Sequence, residues 1–327
     1  MGHVGNAAGN NYALPRPGES QAAHNAKVAL ALACGGAAND EGHEHALHAR
    51  LAAFNATRLI PRAEDAGWEN GLRSEVEQRI VEERFIQAMQ NAVAGQLADL
   101  PSDPRRFMNW FDDLRDSGPG QNDTLFPWLA HQASLQEMRW FLTQEAAGEA
   151  GFEDLVALTQ VRIPNRPKLE MARNYWDELG RGHERGMHGP MLSAAVNDLG
   201  LNPSVNNTCH ESLALANLMV GLAANRRYAY QSIGALGAIE MTAPGRVSLV
   251  NDGLRRLQAP VSARKYFQLH AGLDIQHSRA WNQEVIAPLV EGDPSLARPI
   301  AQGALMRLLA GARCFACYRA HFGICAQ

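Results

Sequence analysis

Two histidines and an aspartate stand four and three residues apart within residues 265–284, which read KYFQLHAGLDIQHSRAWNQE. At about 100° per residue, His270, Asp274 and His277 fall within a sector of roughly 60° on one helix. Apolar residues share this sector, so the triplet is expected to face a core. Buried imidazoles and a buried carboxylate need a partner, and a bound cation supplies one. A solvated or internally hydrogen-bonded His and Asp face is the alternative that this triplet alone leaves open.

The same spacing raises a geometric difficulty. Seven residues of ideal helix separate His270 from His277 by about 10.5 Å. A compact pair of metal ions lies only about 3.5 to 4 Å apart. We therefore expect a distortion that brings them together, with the helix around Gly272 partly unwound without metal and ordered by metal binding.

Two glutamates occupy the apolar stripes of other predicted helices. Glu145 lies four residues after Phe141, and Glu240 lies four residues after Leu236. A carboxylate at a buried position is costly unless it has a partner or a function. Both glutamates are therefore candidates for the same site as the triplet.

A third glutamate, Glu178, precedes the segment LGRGHERGMHGPML. On an unbroken helix Glu178 and His188 would be about 15 Å apart, too far to share one metal ion. The segment between them contains three glycines, Gly180, Gly182 and Gly186. These allow the chain to loosen and to fold His188 back towards Glu178. Spacing alone leaves His183 open as a competing ligand.

Composition sets the class of protein. The chain has 327 residues, 46% of them hydrophobic, and a net charge of -4. This is enough for a real core, and the absence of a basic surplus disfavours nucleic acid as a partner. No apolar run approaches the ~18 residues of a membrane span, and no secretory signal pattern is present. We expect a cytoplasmic protein that does not bind a membrane, with its five cysteines reduced.

The chain divides into an N-terminal extension, residues 1–73, and a helical domain, residues 74–327. Residues 1–25 are rich in Gly, Asn, Ala and Pro and are predicted to form a flexible arm. A local cluster at residues 43–48 contains three histidines and does not fit the HExxH spacing of zinc proteases. A solvated His-rich face is the preferred interpretation of that cluster.

From Ser74 onward the patterns are helical throughout. Capping boxes at Ser74 and Ser134 predict helix starts, the second opening a helix that runs to about residue 158. A later helix, residues 226–242, is predicted to end before Pro244, with a short helix following. The last helix ends in CFACYRAHFGIC, whose cysteines are too widely spread along one helix to converge on zinc.

The candidate donors are four carboxylates and three imidazoles: Glu145, Glu178, His188, Glu240, His270, Asp274 and His277. Such a mixed oxygen and nitrogen set suits iron or manganese better than zinc. Seven ligands are too many for one ion and suit two ions inside a helical bundle. The Glu-x-x-His signature of ferritin-like bundles is missing from these stripes.

At this point the sequence resembles the haem-oxygenase-like di-iron oxidases and oxygenases, over about residues 134–288. The matching pieces are RWFLTQEAAGEAGFEDL, YWDELGRGHERGMHGPMLSAAVNDLGL, ALGAIE and YFQLHAGLDIQHS. The resemblance implies an all-α, up-and-down bundle of about seven helices that holds two non-haem iron ions. It implies that all seven candidate donors are metal ligands, and it favours His188 over His183. The resemblance does not extend to residues 1–73.

The resemblance also implies an activity. The enzyme would activate O2, with electrons from an external donor, and Glu240 resembles an additional carboxylate of the N-oxygenating branch. We therefore predict N-oxygenation of a small amine to a hydroxylamine, nitroso or nitro product in specialised, natural product metabolism. Glu240 and Asp274 are the predicted catalytic residues. The alternatives are di-iron cleavage of a C–C bond in a small acid or amino acid, and a metal-free ligand-binding protein of the same fold. A homodimer is left open.

Overall fold

The computed structural model describes residues 38–61 and 68–325, and regular secondary structure there is helical throughout. The all-α prediction is therefore confirmed, whereas the predicted flexible arm at residues 1–25 lies outside the described residues. None of the helices in this described part is long and apolar enough to cross a bilayer. In chain order the α-helices are α1 (Ala38–Leu59), α2 (Trp68–Val93), α3 (Pro104–Ser117), α4 (Leu125–His131), α5 (Leu135–Gly148), α6 (Phe152–Thr159), α7 (Asn165–Glu178), α8 (His188–Asp198), α9 (His210–Ala224), α10 (Ala229–Arg256), α11 (Val261–Ala280), α12 (Ala287–Gly292) and α13 (Ala297–Phe322).

Helix α10 is the centre of the bundle, because it packs against α11 on one side and α13 on another. Two glycines permit the close approach of α10 and α13. A Cβ atom added to Gly234 would lie 1.9 Å from the carbonyl oxygen of Ile300, and one added to Gly303 would lie 1.8 Å from that of Gln231. Larger side chains would separate these helices. The separate packing of α10 against α11 brings Glu240, on α10, close to His277 on α11.

Two predicted helix boundaries near the site are wrong. Helix α10 continues through Pro244 to Arg256, because residues on both sides of the proline, such as Met241 and Val250, are buried in the core. Helix α5 begins at the predicted Ser134 capping box but ends at Gly148. The chain then passes through Gly151, whose φ of 73° is left-handed, before α6 begins.

The described part of the N-terminal region packs on the bundle. Helix α1 contacts α9, and the Asn55 side chain donates a hydrogen bond to Asn217 over 2.9 Å. His48, predicted to be solvated, is buried against the edge of Phe85. Helix α2 begins at Trp68, so the predicted start at Ser74 is wrong. The division of the chain at residue 73 stays a prediction.

Candidate metal centre

Helix α11 presents His270, Asp274 and His277 to the interior, as the spacing predicted. Each of the three is buried. The expected distortion is wrong, because α11 is regular from Val261 to Ala280 and a π-helical turn begins only afterwards, at Trp281. The two histidines do not need to meet each other, since a residue from another helix lies between them.

That residue is Glu178, the last residue of α7. Gly180 and Gly182 follow with φ of 61° and 86°, in the left-handed region that favours glycine, and α8 begins at His188. The chain therefore folds back as predicted, and His188 Nδ1 lies 3.1 Å from Glu178 Oε2. The competing His183 is exposed on the loop.

The buried donors form two groups that share Glu178. One group contains Glu178, His188 and His270, and the other contains Glu178, Asp274 and His277. Within each group one potential ligand atom from every residue lies within 4.8 Å of the others. A carboxylate common to two donor groups is the arrangement expected for two neighbouring cations.

The chemistry of the residues fits bound metal. Asp274 Oδ1 and His277 Nδ1 are buried, and neither has a hydrogen-bond partner among the described residues. Leaving such atoms unpaired is costly, and a bound cation would pair both. Imidazole nitrogens combined with carboxylate oxygens, without thiolate, suit iron.

Other groups orient the histidines for this role. His270 Nδ1 donates to the carbonyl oxygen of Tyr266 over 2.7 Å, so in the neutral ring Nε2 carries no proton and faces the donor group, 3.2 Å from His188 Nδ1. His277 Nε2 lies 3.2 Å from Asp177 Oδ2, so Nδ1 faces the donor group. Asp177 in turn accepts a hydrogen bond from Arg181 over 2.6 Å. Such partners fix the tautomer and increase the basicity of metal-binding histidines. Sequence reasoning missed Asp177, although it directly precedes Glu178.

Glu240 lies beside the second donor group without belonging to it. Its Oε2 is 3.6 Å from His277 Nδ1, and its Oε1 accepts a hydrogen bond of 2.5 Å from Asn174 Nδ2. Glu240 is buried, and burial raises its pKa. The position is compatible with a ligand and with a residue that holds His277 in place.

Glu145 is further from the donor groups than predicted. It lines the same cavity but belongs to neither group, and it accepts a hydrogen bond of 2.9 Å from Tyr318. Glu149 instead places Oε1 3.9 Å from His188 Nε2. Sequence reasoning missed Glu149, although it follows Glu145 by four residues and so continues the same stripe. Glu149 is therefore an additional candidate ligand.

The donors open onto a cavity of about 190 Å³. Apolar side chains form much of its wall, among them Phe141, Phe152, Leu155, Leu192, Ile239 and Phe267. Half-buried Tyr266 also lines it and places its hydroxyl group 3.2 Å from His188 Nε2. A single water needs only about 10–15 Å³ by this kind of measure, so the cavity can admit a small organic molecule.

Electrostatics in the centre couple the donors. Burial opposes charge on His188, but its hydrogen bond with Glu178 and the charges of nearby carboxylates raise its pKa to about 9. Burial would raise the pKa of Glu178, yet the hydrogen bond from His188 and the positive charges of His188 and His270 lower it to about 2. Burial, followed by the charge of Glu240, raises the pKa of Asp274 to about 8. Without metal, protonated histidines therefore compensate the charge of Glu178, and Asp274 favours its neutral form.

We predict that the metal-free protein loses thermal stability between pH 6.5 and pH 9. The pKa of His188 rises from 6.5 to about 9 on folding, so its contribution is full below pH 6.5 and is lost as pH passes 9. Asp274, whose pKa rises from 3.8 to about 8, acts in the same direction. Calorimetry of chelator-treated protein should show a melting temperature lower by about 5 °C at the higher pH. Replacing His188 with Gln should reduce this dependence and leave the part that comes from Asp274, whereas His183→Gln should not change it. An unchanged or rising melting temperature in the parent protein would contradict the prediction.

A third donor group lies outside the residues that line the cavity. It contains Cys209, Glu211 and Cys317, all of them half-buried. Cys314, from the predicted non-zinc stretch at the end of the last helix, is buried elsewhere, and Cys325 is exposed. Of the cysteines in that stretch, Cys317 is the one that belongs to a donor group among the described residues. Experiments that count metal ions must nevertheless control for Cys209.

The chain was compared with known protein families and solved structures. A family model described as an iron-containing redox enzyme matches residues 139–312, more than half of the chain. Among solved structures, a CADD-like protein of unknown function from Nostoc punctiforme is similar to the chain. It shows a TM-score of 0.49 and 16% identity over 67% of this chain and 95% of that chain. No curated protein matches the chain. The residues matched by the family model include all seven predicted donors.

Proposed function

The chain belongs to the family of iron-containing redox enzymes, and we propose that it is a non-haem di-iron oxygenase that uses O2 to N-oxygenate a small amine. It is an oxidoreductase with an all-α, haem-oxygenase-like fold. The observation that carries the proposal is the sharing of Glu178 by two buried donor groups, both of which have members in the wall of one cavity. An external electron donor completes the proposal, because O2 chemistry at iron consumes electrons.

In this proposal Glu178 would bind both ions. His188 and His270 would complete one site, and Asp274 and His277 would complete the other. Glu240 and a carboxylate from the end of α5, Glu145 or Glu149, would be further ligands. Iron held in this way would supply reduction of O2 and transfer of an oxygen atom.

The chain's own residues have separate tasks. Asp177 and the Tyr266 carbonyl group hold the two α11 histidines in the tautomers that face inward. Tyr266 lines the cavity, and its hydroxyl group lies within hydrogen-bonding distance of His188. The apolar wall excludes water from the reacting amine, which strengthens every polar interaction inside.

The choice of an amine rests on the carboxylates around the cavity. Glu240, Glu145 and Glu149 place carboxylates around the cavity beyond the two donor groups, and any of them that the metal leaves free can accept hydrogen bonds from an amine. The extra carboxylate near His277 also parallels the N-oxygenating pattern noted in the sequence. Cleavage of a C–C bond is the competing reaction, and product analysis separates the two.

The test is a reaction in isotopically labelled oxygen. Iron-loaded protein, a chemical reductant and a panel of small primary amines are incubated under ¹⁸O2, and the products are analysed by mass spectrometry. We expect at least one amine to gain label bonded to nitrogen. Products shortened by loss of carbon, without labelled nitrogen, would replace the proposal with C–C cleavage.

A further inference from the structure

Two arginines line the cavity together with the carboxylates. Arg246 comes from α10 and Arg307 from α13, and both are half-buried, with surface in the cavity wall. Neither forms an ion pair with a carboxylate in the described part of the chain. Two cations thus share a confined space without a partner anion in contact.

Their hydrogen bonds are also incomplete. Arg307 Nε is sealed from solvent and has no hydrogen-bond partner among the described residues. Arg246 donates from Nη2 to the hydroxyl group of Thr242 over 2.8 Å. Burial, and then the charge of Arg307, lowers the pKa of Arg246 to about 9, so Arg246 remains charged at neutral pH in an unfavourable environment. Uncompensated buried charges destabilise a fold, and such groups are commonly kept for binding.

Glu145 is the internal residue best placed to neutralise them, and it does so incompletely. Its charge acts on both arginines, but its Oε1 accepts the hydrogen bond of Tyr318. No oxygen of Glu145 lies within 4.0 Å of either guanidinium group, the limit for an ion pair. The two arginines therefore retain donors for an anion that enters the cavity.

Geometry favours a carboxylate as that anion. A guanidinium group offers parallel N–H donors that match the two oxygens of a carboxylate. The rings of Phe126 and Phe315 lie 5.8 and 5.4 Å from the Arg246 guanidinium carbon and support its position. The small, largely apolar cavity suits one organic molecule better than a hydrated inorganic ion.

We propose that Arg246 and Arg307 bind the carboxylate of an amino-acid substrate, whose amine reaches towards the carboxylate and histidine donors of the metal centre. This inference deepens the proposed function and rests on it for the fate of the amine. It makes the substrate zwitterionic, with its two charges recognised by opposite charges in one cavity. A simple amine lacks the carboxylate that the two arginines would bind, and a simple carboxylic acid lacks the amine that would reach the metal centre.

Binding to metal-free protein tests the inference without any reaction. Isothermal titration compares L-ornithine, L-lysine and L-phenylalanine with the amines obtained by removing the carboxyl group from each. We expect at least one amino acid to bind, and its decarboxylated partner to bind at least about tenfold more weakly. Equal binding within every pair, absence of binding by all three amino acids, or stronger binding of inorganic phosphate would overturn the inference.

Substitutions of single arginines test which side chains bind the carboxylate. Arg307→Gln and Arg246→Gln should each weaken binding of the amino acid about tenfold or more and should leave the decarboxylated amine unaffected. Arg256→Gln is the matched control, because Arg256 donates to the carbonyl oxygens of Ala130 and Ala133 over 2.9 and 2.6 Å and does not line the cavity. It should not change the affinity. Unchanged affinity in both cavity variants would overturn the assignment.

A stability measurement separates binding from structure. Arg307→Met removes an unpaired buried charge, so the ligand-free variant should melt at a higher temperature than the parent protein. Arg256→Met should melt at a lower temperature. If Arg307→Met were less stable and bound the amino acid normally, Arg307 would be structural. Binding that holds while no labelled amine forms under ¹⁸O2 would leave this inference standing and reject the proposed reaction.

Discussion

Replacing Glu178 with alanine should remove both iron ions, because this carboxylate belongs to both buried donor groups. Iron content is measured after anaerobic loading with ferrous iron and removal of excess metal. The parent protein should retain about two ions per chain, and Glu178→Ala should retain less than about half an ion per chain. Asp274 and His188 each belong to one group. Asp274→Ala and His188→Ala should therefore each lose about one ion.

The matched control is His183→Ala, on the same loop as His188 but exposed. It should load like the parent protein. The graded pattern is the informative result, since general unfolding would reduce iron in every variant alike. Equal iron content in Glu178→Ala and the parent chain, with both proteins folded by circular dichroism, would reject Glu178 as the shared ligand.

Glu240→Gln should separate iron binding from amine oxygenation. The change keeps the size of the side chain, while it removes the charge that faces His277 Nδ1 over 3.6 Å. Because Glu240 lies outside both donor groups, iron content should stay near that of the parent chain. Product formation should fall about 10- to 100-fold, the usual effect of removing a group that tunes a metal site. The measurement is labelled amine formed per bound iron.

Glu82→Gln is the control for the loss of a buried glutamate charge. Glu82 is buried and pairs with Arg58 at 2.6 Å, away from the residues that line the cavity. This variant should be less stable but should form as much product per iron as the parent. If Glu240→Gln also kept full product formation, the main sequence argument for N-oxygenation would fail and C–C cleavage would become the leading hypothesis.

The sequence was sufficient to predict the positions of site residues that depend only on local helix and turn geometry. The angular spacing along one helix placed His270, Asp274 and His277 on a single buried face. The glycines after Glu178 were enough to predict that the chain folds His188 back, since glycine is the residue that most readily adopts a left-handed backbone. In both cases the information lies within about ten residues of the chain, which is the distance over which helical periodicity and turn chemistry act.

Contacts between distant helices could not be predicted in the same way. Asp177 meets His277 across 100 residues of sequence, and no local pattern indicates which helices pack together. The distortion expected in α11 was wrong for this reason, because Glu178 from another helix lies between the two histidines. The end of α5 at Gly148 likewise moves Glu149, and not Glu145, towards His188. Arg246 and Arg307 meet through the packing of α10 and α13, which the sequence pattern did not describe.

An anaerobic titration of the folded, metal-free chain with ferrous iron tests the central claim most directly. The titration uses a Cys209→Ser background, so that the separate group of Cys209, Glu211 and Cys317 does not add to the count. Two donor groups joined by Glu178 predict an end point of about two ions per chain, with zinc failing to occupy both sites as a specific pair. An end point at one ion or none, in protein whose circular dichroism is fully helical, would contradict the account.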